Sequence, residues 1–472
     1  MKKYQFIWAI LGFLVYGLLF IFPTLGDFNL FDWDEINFAE SSREMLVSKN
    51  FFQVMVNFEP FHEKPPLYFW LQSLSMNFFG VGSFGARLPN AILSIFIPFI
   101  LFKIGTTLKN RTFGWIWSII FLSGLLPNLY FRTGIIDPYF NLFIFLSIYY
   151  FYLSIYYNQK FKLIKSGIFS GLAILTKGPV GLLIVILSCF IFLILKKKFL
   201  SFKQLIFFTT PLIIISSPWY IFELIHKGPW FLVEFIQYQL ELFSQPVAGH
   251  KQPPYYHFLV VLIGCIPFSF FGFKNSFKDS GSGIVFEKLM RIVLWTILVL
   301  FTIVTTKIIH YSSMAYIPLS FLAAIEIYKV LKGKRFKKSL KISLVIFSSS
   351  IGLFLSIIIY TLTYKIDILS SIITDPNAKV FLNVNLHWDG WEWIIPLILV
   401  LANMIWLLNV NQNYLRNLAT FSISIGLLFA LMGHYIVPRI EMAIQGDVIN
   451  FYKEISKEKK YITTVGFKSY AH

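Results

Sequence analysis

The sequence predicts an all-α polytopic membrane protein with about thirteen transmembrane helices and further helices lying along the outer membrane face. Three observations predict it. Hydrophobic residues make up 57% of the 472 positions and charged residues only 14%, against about 25% charge in an average soluble domain. Apolar runs of roughly 18 residues or more recur along the whole length, and a helix satisfies every backbone polar group of such a run in lipid. The net charge of +18, from 41 basic against 23 acidic residues, reads in such a chain as basic cytoplasmic loops and not as a nucleic-acid surface. The two cysteines, Cys189 and Cys265, both sit in apolar runs, which supports neither a disulfide framework nor a cysteine metal site.

The elements follow in order. After Lys2-Lys3 comes an apolar stretch, 5–24, with no small-residue cleavage site, so it reads as an uncleaved first span with a cytoplasmic N-terminus. Further spans are expected at 86–106, 112–130, 138–157, 166–180, 181–195, 204–223, 257–274, 289–306, 308–330, 339–363, 392–410 and 415–433. Segment 66–82 is apolar but short, and Gln72, Ser73, Ser75 and Asn77 interrupt it. If it crossed, the basic loops at Lys109/Arg111, Lys160/Lys162/Lys165, Lys196–Lys198/Lys203 and Lys332–Lys338 would all lie outside, against the positive-inside bias. Laid along the interface, it returns them all to the cytoplasm. Residues 1–433 then form the transmembrane domain, with outer loops 25–85, 131–137, 224–256 and 364–391. The outer tail, 434–472, is helix-like over Val448–Lys457 and strand-like over Tyr461–Phe467. It is too short for its own core and reads as a small cap or the truncated start of a soluble domain. The chain carries no internal repeat and no pair of broken helices in corresponding halves, the pattern of an inverted-repeat transporter.

Chemistry-bearing residues crowd the outer segments. In Phe31-Asp32-Trp33-Asp34-Glu35, Asp34 reads either as the N-cap of an amphipathic helix over 35–48 or as a general base or cation ligand at the rim of a membrane cavity. Glu63-Lys64-Pro65-Pro66 ends in a diproline that stops any helix and presents Lys64 from a stiff turn. That lysine either snorkels to headgroups or holds a phosphate as a point charge. Asp137 precedes Pro138 at an outer helix start, where plain capping chemistry also favours both. Lys177 and Lys307 interrupt apolar runs, and such lysines are costly unless they reach a phosphate, a carboxylate or water. The loop 224–256 contains His250 and ends in Pro253-Pro254-Tyr255-Tyr256, a length and composition suited to a lid.

In order along the chain stand Asp34-Glu35 with Phe38-Ala39-Glu40 and Arg43-Glu44-Met45, and Glu63-Lys64-Pro65-Pro66-Leu67-Tyr68-Phe69-Trp70. Ala86-Arg87-Leu88-Pro89, Asp137, Thr176-Lys177-Gly178-Pro179, Pro218-Trp219-Tyr220, and His250 with Tyr255-Tyr256 follow. This set resembles the bacterial aminoarabinose transferases of lipid A and the related protein O-mannosyltransferases, which are GT-C membrane glycosyltransferases. The resemblance runs from about residue 5 to 330, and this chain has Asn37 where the aminoarabinose transferases commonly carry Arg.

The resemblance implies a bacterial inner-membrane enzyme that takes sugar from a polyprenyl-phosphate donor on the outer face and passes it to a lipid or glycan acceptor. A protein acceptor, and a flippase for a lipid-linked glycan, stand as alternatives. By motif position Asp34 is the base candidate and Asp137 the second acid. Lys64 falls at the donor phosphate, with Lys177 and Lys307 as further cations, and Glu35, Tyr68, Arg132, Tyr255 and Tyr256 are the other expected cavity residues. A divalent cation (zinc, magnesium or manganese) falls to Glu63 and His250. No nucleotide cofactor is expected, since no Gly-rich phosphate loop is present, and the implied displacement inverts the anomeric carbon.

Overall fold

The structure, a computed structural model, describes residues 4–61, 63–247, 250–333, 338–374, 386–409 and 414–458, with 379, 382, 384, 462 and 470–472. His62 and all but one residue of the expected strand 461–467 lie outside them. Helix α1 (Tyr4–Tyr16) runs on through tighter and wider turns to Thr24. The first outer segment folds as α2 (Asp34–Ser48), a two-residue hairpin pairing Met55–Val56 with Glu59–Pro60, and α3 (Leu67–Phe79). At 13 residues α3 is about 20 Å long, well short of the roughly 30 Å hydrocarbon layer. It packs on α2 and on α4 (Ser83–Leu108).

Every expected span is helical, although several are broken. The run 112–130 divides at Ser123-Gly124 into α5 (Arg111–Leu122) and α6 (Leu125–Tyr130). Next come α7 (Asp137–Tyr156), α8 (Lys162–Lys177), α9 (Val180–Lys196), α10 (Phe202–Lys227) and α11 (Pro229–Ser244). The expected lid over 224–256 is therefore mostly helix: Gly228, at φ +74°, lets α10 turn directly into α11. The run 257–274 divides into α12 (Tyr256–Gly264) and α13 (Ser269–Ser276). After α14 (Phe286–Ile303), a 3₁₀ turn over Ile309–Ala315 leads into α15 (Tyr316–Leu331). The helices Lys338–Tyr364, Ile398–Asn409, Tyr414–Leu431 and Asp447–Ile455 complete the described chain. Among the described residues, seven helical stretches are long and apolar enough to cross a membrane on length and composition alone: Tyr4–Thr24, Ser83–Leu108, Asp137–Tyr156, Phe202–Lys227, Ile309–Leu331, Val345–Tyr364 and Leu415–Glu458. Arg111–Leu122, Val180–Lys196 and Glu392–Trp406 are shorter apolar helices. The other runs are shortened or split by turns, or, like α14 with Glu287, Lys288 and Arg291, carry charge.

Lipid provides no hydrophobic drive between helices, so small and polar side chains hold them together. Ser147 of α7 lies 2.7 Å from Ser170 of α8, and Ser166 donates to the Ser147 carbonyl at 2.9 Å. On α8 the neighbouring Gly167 and Gly171 lie so close to α10 that a Cβ at Gly171 would sit 2.8 Å from Ile215. Ser118 of α5 donates to the Pro98 carbonyl that the proline-containing α4 presents, at 2.7 Å. The connections sort to two ends of the bundle. Lys109 reaches the Ser282 carbonyl at 3.2 Å, Asn110 reaches Tyr328 at 2.6 Å and Lys198 reaches the Ile155 carbonyl at 3.1 Å, so these links tie neighbouring basic connections together. The acid-bearing segments meet at the opposite end, where Asn29 donates to Glu441 at 3.1 Å and Trp219 to the Phe52 carbonyl at 2.9 Å.

Candidate active site

The site begins with Glu35, although not as a cavity residue. Arg87 of α4 grips its carboxylate through Nε and Nη2 at 3.0 and 2.8 Å, and the backbone N–H groups of Gly134 and Phe31 donate to it at 2.6 and 3.0 Å. Burial works against the charge, but the Arg87 guanidinium and the two N–H donors outweigh it and hold the carboxyl below its usual range. Arg87 spends its remaining donors on the carbonyls of Leu25, Phe28 and Asn29. Glu35 therefore ties α2, α4 and the 131–137 turn into one block, and fixes Asp34 and Asp137 relative to each other.

Asp34 is the first residue of α2 but makes no capping hydrogen bond, so the capping role open to it from sequence is not the one it fills. Its carboxylate is about one-third exposed and lies 3.9 Å from Nδ1 of His310. His310 and Tyr311 sit in the turn that breaks the chain between α14 and α15. The charged groups facing His310 are Lys177, Asp34, Lys64 and His250, and those facing Tyr311 are Asp34, Asp137 and Glu63. Lys177 closes α8 with Nζ 2.7 Å from Oδ1 of Asp137 and 5.1 Å from the centroid of the Tyr311 ring. Lys64 lies 3.4 Å from Glu63 and 5.3 Å from the Tyr238 ring of α11, while the Tyr238 hydroxyl donates to Glu63 at 2.8 Å. Burial, reinforced by that carboxylate, keeps Tyr238 protonated above its ordinary range.

Lys64 and Lys177 both open onto an apolar cavity of 440 Å³ walled by Phe140, Leu183, Leu240 and Phe301. Two cations at one end of a greasy slot suit an amphiphile with an anionic head. Tyr238, His310 and Tyr311 complete this constellation without having been singled out as site residues. The break Lys307-Ile308-Ile309-His310-Tyr311 in an apolar run was the only signal for His310 and Tyr311, and Tyr238, inside α11, had none.

Other expected residues lie elsewhere. Arg132 is buried, donating to the carbonyls of Asn128 at 2.8 Å, Phe20 at 2.7 Å and Gly426 at 3.3 Å, which makes it a clamp between helices. Lys307 turns its ammonium onto the Val304 carbonyl at 2.5 Å, and its N–H donates to the His250 carbonyl. Tyr68 is fully buried between α2 and α7, its ring 6.0 Å from Tyr139, and its hydroxyl has no partner among the described residues. Tyr255 is exposed at the start of α12 and Tyr256 packs on His257. For a divalent cation the donor set does not fit as arranged. Glu63 is engaged by Tyr238 and Lys64, His250 is exposed, and the described residues include no group of three His, Cys, Asp or Glu placed to hold a metal ion.

This fold and site define a polytopic, all-α membrane protein with its ionisable residues gathered at one end of the bundle. The chain is similar to both protein groups that its ordered motifs resemble. Residues 63–222 match the family described as dolichyl-phosphate-mannose-protein mannosyltransferase. An undecaprenyl phosphate-alpha-4-amino-4-deoxy-L-arabinose arabinosyl transferase of Wigglesworthia glossinidia brevipalpis is 31% identical over 358 residues, 73% of this chain and 62% of that protein. A second, from Proteus mirabilis, is 27% identical over 326 residues, 66% of this chain and 58% of that protein. The chain thus spans about three fifths of the length of these curated relatives. The solved structure of ArnT from Cupriavidus metallidurans bound to undecaprenyl phosphate superposes with a TM-score of 0.77 at 17% identity, covering 97% of this chain and 81% of that one, a likeness of fold.

Proposed function

We propose that the chain is an integral membrane glycosyltransferase of the bacterial inner membrane, moving a pentose or hexose from a polyprenyl-phosphate donor to a lipid A-like or other envelope acceptor on the outer face. The observation that carries this reading is the pairing of Lys64 and Lys177 at the mouth of the 440 Å³ apolar cavity, with the uncapped Asp34 carboxylate beside them across His310. The slot takes the prenyl chain and the two ammonium groups face the phosphate. The acceptor hydroxyl attacks the anomeric carbon from the Asp34 side and its proton passes to the Asp34 carboxylate. The bond from that carbon to the phosphate oxygen breaks with its electron pair going to the phosphate. A phosphate leaving group needs no strong acid, since preorganised cations stabilise it. Asp137, committed to Lys177, orients that cation, and the single displacement inverts the anomeric carbon. No step runs through a metal ion.

The names of the curated relatives support a pentose donor, and the match of residues 63–222 to a family described as protein mannosyltransferases supports a Ser or Thr hydroxyl as the second acceptor class. A flippase is disfavoured because such proteins place ionisable residues at mid-membrane, whereas Asp34 and Lys177 stand at helix ends and Lys64 in the turn before α3. Orientation follows from charge: the basic connections face the cytoplasm and the site faces out. Mass spectrometry of lipid A and envelope proteins from a deletion strain and its complemented counterpart tests the assignment. A sugar-sized mass difference on one of them is expected, and identical profiles of all envelope glycans would overturn it.

A further inference from the structure

Along the same seam as the candidate active site, but toward the basic end of the bundle, helices α9 and α14 leave a groove of 520 Å³ open to the lipid. Leu187, Ile191 and Leu195 of α9 and Ile292, Trp295 and Val299 of α14 line it, and Lys288 and Arg291 stand at its basic end. The two cations are under-used. Arg291 is only 16% exposed, yet it keeps nothing closer than 3.6 Å to the exposed Asp279 and 4.0 Å to Glu287, and its buried Nε has no hydrogen-bond partner among the described residues. Glu287 is already satisfied by Ser280 at 2.9 and 2.6 Å and by Ser282 at 2.5 Å. The ammonium of Lys288 has no partner among the described residues. A buried guanidinium donor left open is costly, and so points to a missing anionic acceptor. Trp295 marks the depth of the interface, with its ring in the groove and its indole N–H donating to the Ser276 carbonyl at 3.2 Å.

We infer that this groove is a binding site for an anionic phospholipid of the basic-side leaflet, its acyl chains along α9 and α14 and its phosphate on Lys288 and Arg291. Charge complementarity selects the occupant. The far end of a prenyl chain descending the same seam from the donor cavity is uncharged and gives these cations nothing to bind, whereas an anionic headgroup gives them an acceptor at the level where basic pockets between helices meet the membrane surface.

The test uses the intact chain in neutral detergent, titrated with phosphatidylglycerol or phosphatidylcholine and read by native mass spectrometry. The unaltered protein is expected to retain phosphatidylglycerol about tenfold better than phosphatidylcholine. Lys288→Gln with Arg291→Gln should bring the two within about twofold, and Lys203→Gln, on a basic connection outside the groove, should leave the preference intact. Val299→Trp, which fills the groove and keeps both charges, should also lose the bound phospholipid, so the inference does not hang on the charge variants folding. An unaltered protein without preference, or a preference that survives both the charge and the filling variants, would overturn it. One-for-one displacement of phosphatidylglycerol by a polyprenyl phosphate would overturn it as well, by making the groove part of the donor site.

Discussion

Lys177, the last residue of α8, holds Asp137, the first residue of α7, through a 2.7 Å contact between Nζ and Oδ1, with both side chains nearly closed to solvent. The serine contacts between α7 and α8 set these antiparallel helices in register, so that residues forty positions apart meet. Removing one partner of such a pair leaves a buried charge uncompensated, at about 3–5 kcal/mol. Asp137→Asn is therefore expected to lower the melting temperature in detergent clearly, whereas Asp34→Asn should hardly move it. Equal melting temperatures for the two variants would mean that the pair carries no structural weight.

Asp34→Asn removes basicity without changing size. If Asp34 takes the acceptor's proton, turnover should fall by about 10²- to 10⁴-fold while affinity for a polyprenyl phosphate stays within about twofold. Turnover kinetics and a binding isotherm on the same preparation decide it. Near-normal turnover would reduce Asp34 to an ordinary first-turn acid.

Lys64→Ala is expected to weaken polyprenyl-phosphate binding and to cost transfer about 2–4 kcal/mol of transition-state stabilisation. Lys64→Arg should recover only part of this, because a forked guanidinium does not replace a compact ammonium wedged between Glu63 and the Tyr238 ring. A lysine that merely snorkels would tolerate both changes.

Glu44 titrates in an unusual range. Burial pushes its carboxyl up to about 7 and the neighbouring Glu40 adds to this, while the Phe58 N–H, 3.0 Å from both oxygens, pulls the other way. The folded state thus holds this proton more tightly than the unfolded chain, whose value lies near 4.5. The resulting stability is full below that value and is lost as pH rises through about 7. Melting temperature should fall across that window, and Glu44→Gln should flatten the profile. A profile that Glu44→Gln leaves unchanged would remove Glu44 as its source.

Topology is open to labelling. In a variant lacking Cys189 and Cys265, a cysteine at Val81, between α3 and α4, should react with an impermeant thiol reagent added outside intact cells, and one at Lys109 should not. The reverse pattern would make α3 a crossing helix and separate the site residues across the membrane.

Composition and the spacing of apolar runs were enough to read this chain as a helical membrane protein, because lipid leaves a polar backbone few alternatives to the helix. Charge asymmetry is the ground for expecting α3 at the interface, and its 13 residues bear on the same point. The ordered motifs pointed to Asp34, Lys64, Asp137 and Lys177. What they did not reveal is how each side chain is spent, since that depends on partners far away in sequence. Glu35 and Arg132 look functional in a string of outer acids and bases, yet Arg87 and three backbone carbonyls respectively consume them. Tyr238, His310 and Tyr311 look like filler in apolar runs until α11 brings Tyr238 to Glu63 and Lys64, and the break before α15 brings His310 to Asp34 and Tyr311 to the cavity wall. Apolar periodicity reports which residues avoid water. Only the packing of α8, α11, α14 and the 309–315 turn around one cavity, with Asp34 of α2 held beside it by His310, decides which polar atoms remain free to meet a ligand.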